Sequence, residues 1–270
     1  MTLVVEDFGK RYGGLVAVDR VSLTARAGAV TALIGPNGAG KTTLLNLISG
    51  VIMSDSGTCT LFDENVTGRT PHQLAHLGLT RTYQSPQLFD DMSVLETVMV
   101  GAHLRGSAGF ISSMFRIGKT RREEARLEAQ ALWAIDRVGL PSSLLRRPAV
   151  DLAYGLQRRV EIARALAMQP RVLLLDEPAA GLNQQETHEL AGLVQSLAIG
   201  GLTVLLVEHD MDMVMGISQH VVVMNFGRKI AEGSPVEVQN NQEVIDAYLG
   251  APAELAEPAG LAAAEGVAHA

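Results

Sequence analysis

The stretch GPNGAGKT, residues 35–42, carries three glycines, a lysine and a threonine at the spacing G-x-x-x-x-G-K-[ST]. Gly35, Gly38 and Gly40 let a backbone wrap around phosphate oxygens without side-chain collision. The N–H groups of such a loop, and of the helix start after it, donate to β- and γ-phosphate oxygens. Lys41 adds a charge-assisted hydrogen bond, typically worth about 1.5–3 kcal/mol. Thr42 offers the hydroxyl that Mg²⁺ requires. The plainer alternative is a glycine-rich turn. A buried-strand pattern before the motif and a helical pattern, KTTLLNLISG, after it argue for the phosphate loop.

Three more apolar runs end in polar groups. RVLLLDEP brings Asp176 to a strand end, where a carboxylate can hold Mg²⁺ through its coordination shell. Glu177, one residue on, would reach an attacking water. VEHD ends a run at His209, a core histidine, a strand cap, or an imidazole that contacts a γ-phosphate and orients water. RTYQSPQLF offers Gln84, either a loop glutamine or an amide that touches Mg²⁺ or water. Ligands of open parallel sheets sit beyond the carboxyl ends of the strands, so these endings reinforce one another.

The elements that must position these groups are legible as hydrophobic patterns. AVTALI (29–34), RVLLLD (171–176) and LTVLLVEH (202–209) are near-continuous apolar runs, the pattern of strands buried on both faces. VDRVSLTAR (18–26) alternates like a half-buried strand. Strands alternating with helical patterns predict a layered α/β domain. From about Pro86 to Asp151 the pattern is helical throughout. Leu127, Ala131, Ala134, Ile135 and Val138 recur at helical spacing there, and the single tryptophan, Trp133, reads as a packing residue. NNQEVIDAYLG (240–250) predicts a terminal helix. The segment 251–270, rich in Ala, Glu, Pro and Gly, reads as a disordered tail.

A chain of 270 residues holds one large domain or two small ones. A net charge of −7 argues against nucleic acid as a partner, since such surfaces are usually basic. The one cysteine, Cys59, excludes an internal disulfide framework and reads as a small strand residue in a reducing compartment. No signal peptide or apolar run of bilayer length is present.

With these residues in hand, the chain resembles the ATP-binding subunit of an ABC transporter from about Leu3 to Gly250. The resemblance implies an α/β fold: a P-loop NTPase core of the ABC ATPase type, with an antiparallel β subdomain and a helical subdomain inserted at about 86–151. GPNGAGKTT is similar to that family's phosphate loop, so Pro36, Asn37, Ala39 and Thr43 join the nucleotide-binding set. LLLDEPAAGLN is similar to its second nucleotide motif and D-loop. By the same resemblance Gln84 is the Q-loop glutamine, His209 the switch histidine, and Tyr12 the aromatic that stacks on adenine, though an aromatic in KRYGG also suits edge packing. LAYGLQRR occupies the place of the family signature, usually L-S-G-G-Q. Leu152, Gly155 and Gln157 survive the match; Ala153 stands for the serine, Tyr154 for the first glycine and Leu156 for the glutamine. The family's subunits pair head to tail, so Gly155 would meet a partner's ATP in trans, with Arg158 and Arg159 nearby.

The motifs YGLQRRVEIARAL, DEPAAGLN and VIDAYLG resemble ATPases of branched-chain amino-acid-type importers. The implied cofactors are ATP and Mg²⁺. The implied partners are integral membrane permease subunits, a second ATPase subunit and an external solute-binding protein, with the chain on the cytoplasmic face of the membrane. SPQLFDDM (85–92) and GFISSMF (109–115) are candidates for receiving permease helices, the second equally readable as a buried hairpin. An ATPase of lipid or lipopolysaccharide export shares most of these motifs. A soluble ABC ATPase acting on nucleic acid or ribosomes usually has two nucleotide domains or a long coiled-coil insertion, and neither is present here.

Overall fold

The computed structural model describes residues 2–83, 88–104 and 117–249. Its centre is a six-stranded sheet in the order β10-β9-β3-β8-β7-β6. Strands β3 (Val30–Ile34), β7 (Val172–Asp176) and β8 (Thr203–Val207) are each five residues, all buried. They pair in parallel with one another and with β6 (Leu79–Arg81) and β9 (His220–Asn225), while β10 (Arg228–Gly233) closes the edge antiparallel to β9.

Alternation along these strands divides the core. Leu173, Leu175, Val204 and Leu206 face a helical layer, whereas Val172, Leu174, Leu205 and Val207 join the opposite core. That opposite core also holds helix α1 (Lys41–Ile48) and a second, antiparallel sheet in the order β2-β1-β4-β5. In it β1 (Leu3–Tyr12) and β2 (Leu15–Ala25) form a hairpin through Gly13 and Gly14, and β4 (Ser56–Leu61) pairs with the other edge of β1 and with β5 (Glu64–Asn65). Cys59 is a buried residue of β4, and burial pushes its thiol up to about 12.

Helix α2 (Pro71–His76), started by a Thr70–Gln73 capping box, leads into β6. The helical layer is built by α3 (Val94–Leu104), α4 (Ile117–Arg137), α5 (Tyr154–Ala167) and α6 (Gln184–Ile199). On α4 the expected stripe of Leu127, Ala131, Ala134 and Ile135, continued by Val138 just beyond it, is buried. Trp133 is not a core residue: it is half exposed, because helical spacing that turns 131, 134 and 135 inward turns 133 outward. Gly101 brings α3 onto α5 so closely that a Cβ there would lie 2.0 Å from the Arg164 carbonyl oxygen. Asn183 starts α6 through a capping box with Glu186. Helices α7 (Met211–Ile217), α8 (Pro235–Gln239) and α9 (Gln242–Leu249) cover the β9 end of the sheet. The 251–270 segment and GFISSMF lie outside the described residues, as do the first three residues of SPQLFDDM.

Candidate nucleotide site

Strand β3 runs directly into Gly35, and α1 begins at Lys41 behind Gly40. Two of the glycines are dictated by close backbone approach. A Cβ on Gly35 (φ 148°) would lie 2.0 Å from the Met224 carbonyl oxygen, and one on Gly40 (φ 99°) would lie 2.4 Å from that of Ala17. Gly38 (φ 79°) instead borders open space. The loop wraps Lys41, whose buried Nζ donates to the carbonyl oxygens of Gly35 (2.6 Å) and Pro36 (3.0 Å). Burial pushes the Lys41 ammonium below its usual range, against the opposing pull of Glu177 and then Asp176. A cleft of about 390 Å³ is lined by residues 15–17 of β2, by 37–43, by Glu177 and by Phe226–Gly227.

Adjacent strand ends bring in the carboxylates. Asp176 closes β7 and is buried; its Oδ2 accepts from Arg81 Nη2 at 2.7 Å, while Arg81 Nη1 donates to Asn46 Oδ1 (2.6 Å) and Ser49 Oγ (3.0 Å). Glu177 follows with φ 47°, and its N–H donates to the Val207 carbonyl at 2.9 Å. A non-glycine residue held there stores strain of about 1–3 kcal/mol, a cost characteristic of functional turns. Beyond β8, buried Glu208 organises the next loop. Its Oε1 accepts the Ala179 N–H (2.7 Å) and its Oε2 the His209 N–H (2.8 Å), with the exposed His209 ring Nδ1 3.5 Å away. Gln84 lies outside the described residues, immediately after Tyr83.

Other expected residues are placed differently. Tyr12 is half exposed at the tip of the β1–β2 hairpin with Lys10 Nζ 5.7 Å from its ring centroid; its neighbours 15–17, rather than Tyr12, line the cleft. At the start of α5, Ala153 is the N-cap and supplies no side-chain hydrogen bond. A Cβ on Gly155 would lie 2.8 Å from Glu186 Oε1, so the first turn of α5 packs closely on the Glu186 side chain of α6. The two arginines expected near a phosphate are engaged elsewhere. Arg158 is 1% exposed and points inward, and Arg159 pairs with Glu189 at 2.5 Å. Arg158 is buried beneath the first turn, beside the Tyr154 ring, whereas Arg159 reaches across to α6.

Four residues beside the site escape a reading of motifs: Arg81, Glu161, Glu208 and Tyr248. For Glu208 the signal was present, a carboxylate directly after a buried strand. Tyr248, on α9, lies beside the Gly35 backbone, and burial pushes its phenol up to about 12 against the opposing influence of that backbone. The donor set fits a hard cation that brings most of its own ligands. Asp176 Oδ1 has no hydrogen-bond partner among the described residues, and the Thr42 side chain borders the same loop. No three His, Cys, Asp or Glu side chains among the described residues converge to cage a metal alone. Mg²⁺ shared with phosphate oxygens suits such a site.

A parallel sheet whose central strand enters a glycine-wrapped lysine loop and then a helix defines a P-loop nucleotide-binding ATPase. Residues 18–180 match the ABC transporter family, and residues 228–254 match the family described as "Branched-chain amino acid ATP-binding cassette transporter". The high-affinity branched-chain amino acid transport ATP-binding protein LivG of Escherichia coli is 43% identical over 250 residues, 92% of this chain and 97% of that protein. BraF of Pseudomonas aeruginosa, a protein of the same description, is 42% identical over 249 residues, again 92% and 97% of the two chains. The ADP form of MJ1267, an ATP-binding cassette of an ABC transporter, superposes with a TM-score of 0.81 at 34% identity, covering 93% of this chain and 99% of that one. The chain belongs to the ABC transporter ATP-binding family and is an ATPase of that family. Among the described residues no helix is long and apolar enough to cross a membrane.

Proposed function

We propose that this chain is the ATP-hydrolysing subunit of a membrane importer for branched-chain or closely related amino acids. The observation that carries the reading is the extent of the likeness to proteins described as branched-chain amino acid transport ATP-binding proteins, 43% identity across 92% of the chain. A separate match over 228–254 points the same way.

In this reading the backbone N–H groups of 37–43 and the Lys41 ammonium hold the β- and γ-phosphates of ATP. Thr42, Asp176 and Gln84 would hold Mg²⁺, which supplies charge neutralisation at the phosphates. Glu177, lining the cleft beside Lys41 and Thr42, accepts a proton from the attacking water, and His209 orients the γ-phosphate. Catalysis is positioning plus electrostatics: Lys41 meets negative charge as it develops on the transferring group. Tyr12 contacts the adenine. Gly155 and the other amides at the α5 start face the ATP of a second ATPase subunit. Closure of that pair works on permease subunits at the cytoplasmic face of the membrane, and an external solute-binding protein delivers the cargo.

The test is affinity purification of tagged Glu177→Gln chain from detergent-solubilised native membranes with ATP present, followed by mass spectrometry. Recovery of permease subunits with a second ATPase is expected, and the permease then identifies the cargo. Recovery of no membrane protein, despite ATP binding, would remove the transport assignment.

A further inference from the structure

One turn into α5, two charged side chains are almost wholly removed from water. Arg158 and Glu161 are each 1% exposed, and Arg158 Nη1 donates to Glu161 Oε2 at 2.9 Å. Their remaining contacts leave the helix. The Tyr83 N–H donates to Glu161 Oε1 at 3.0 Å, and Arg158 Nη1 donates to the Tyr83 carbonyl at 2.9 Å. Both polar backbone groups of the residue before Gln84 are therefore held by one ion pair. The same guanidinium brings Nη2 to 3.5 Å from the Glu177 carbonyl oxygen and lies 5.5 Å from the centroid of the Tyr154 ring. Tyr154 in turn packs on Gly181, where a Cβ would lie 3.1 Å from the ring.

A single guanidinium thus touches the open start of α5, the segment leading to Gln84 and the backbone of Glu177. We propose that Arg158 and Glu161 are positioning residues for hydrolysis. They fix the Glu177 carbonyl and the Tyr83 peptide groups relative to the first turn of α5, so that contact made by that turn is felt at the catalytic carboxylate. The proposal rests on the roles given above to Glu177 and to the α5 start. Well-packed apolar residues of similar volume replace buried ion pairs without loss of stability in many proteins. Such residues could not replace the hydrogen bonds to Tyr83 and Glu177. Two planar donors of one fork reaching three acceptors is also a task that a lysine ammonium does not reproduce.

The experiment compares the full-length chain with the double variant Arg158→Met/Glu161→Leu. Thermal unfolding, nucleotide affinity and steady-state ATPase rates are measured on each. The double variant is expected to fold and to bind nucleotide within about twofold of wild type, while kcat falls by roughly tenfold or more because small misplacements of catalytic groups are costly. KM stays near the wild-type value. Glu161→Gln, which keeps an acceptor for the Tyr83 N–H but removes the charge, lowers kcat less, and Arg158→Lys does not restore the wild-type rate. A double variant that turns over ATP at the wild-type rate overturns the proposal. So does a parallel fall in melting temperature, affinity and kcat, which marks a purely structural pair. Where the double variant does not fold, Glu161→Gln decides: lower kcat at unchanged KM supports the proposal, and an unchanged kcat overturns it. Wild-type chain that binds no nucleotide would defeat the underlying assignment itself, an outcome visible before any variant is compared.

Discussion

Two helix starts in this molecule invite comparison, that of α1 and that of α5. Both were read as phosphate-facing, and they are built in opposite ways. The α1 start is enclosed: Gly35 and Gly40 lie hard against the backbone of β9 and β2, Lys41 is buried, and a strand enters from behind. The α5 start is open: its N-cap is Ala153 with no capping hydrogen bond, and Tyr154 is 39% exposed. The first turn of an α-helix leaves N–H groups without intrahelical partners. At α1 the chain supplies the surrounding cradle itself. At α5 it supplies only the amides and the packing behind them. In the proposed reading, one half of a nucleotide site is complete within the chain, and the other half is finished by a second subunit.

Lys41→Ala strikes the enclosed start most directly. Loss of the buried ammonium is expected to lower kcat/KM for ATP at least about 100-fold, close to 3 kcal/mol of transition-state stabilisation. Undiminished hydrolysis would show that the loop is not the phosphate cradle. The smaller disturbance Gly40→Ala places a Cβ 2.4 Å from the Ala17 carbonyl at a φ of 99°. It should cost about 1–3 kcal/mol of stability, as overpacking does, and weaken nucleotide binding as well. Chemical unfolding of both variants separates the cases: Lys41→Ala should leave stability close to wild type, whereas Gly40→Ala should not.

Tyr248→Phe probes the enclosure from its outer side with a still smaller effect. Removing the phenol alters the polar surroundings of the Gly35 backbone and should weaken nucleotide affinity slightly. It also carries a pH signature. The folded-state value of about 12 lies above the ordinary 10.0, so the fold favours the protonated phenol. Stability from this group is present below pH 10 and is lost as pH rises through 12. Subtracting the Tyr248→Phe unfolding curve from that of wild type should isolate this loss, and identical slopes for the two proteins would remove it.

These starts differed equally in how much the sequence disclosed. The α1 cradle is local: its glycines, lysine and threonine fall within eight residues and announce themselves between a strand and a helix. The buried strands were legible too, because a strand covered on both faces must be apolar at every position. What surrounds the carboxylates was not legible. Arg81 meets Asp176 across 95 positions, and Tyr83 meets Glu161 across 78. No local pattern fixes which charge of a helix turns inward, and Arg158 and Arg159 show it, neighbours in sequence with opposite fates. Trp133 failed for a related reason. Residue type suggested packing, while helical phase put it outside.

The smallest expected effect tests the open start. Ala153 already has N-cap geometry, φ −57° and ψ 147°, and lacks only a side-chain acceptor. Ala153→Ser supplies one for the first-turn amides. Capping of this kind is worth about 1 kcal/mol, which raises the melting temperature of a chain this size by about 2–4 °C. The consequence for turnover separates two views of the open turn. If those amides serve only the helix, the variant gains stability and its ATPase rate stays where it was. If they face a second subunit's phosphates, the new hydroxyl adds a donor to the anion and turnover rises with protein concentration, as pairing requires. A rise in melting temperature with concentration-independent ATPase activity would argue that α5 is closed by its own chain, and the contrast with α1 would shrink to one of exposure.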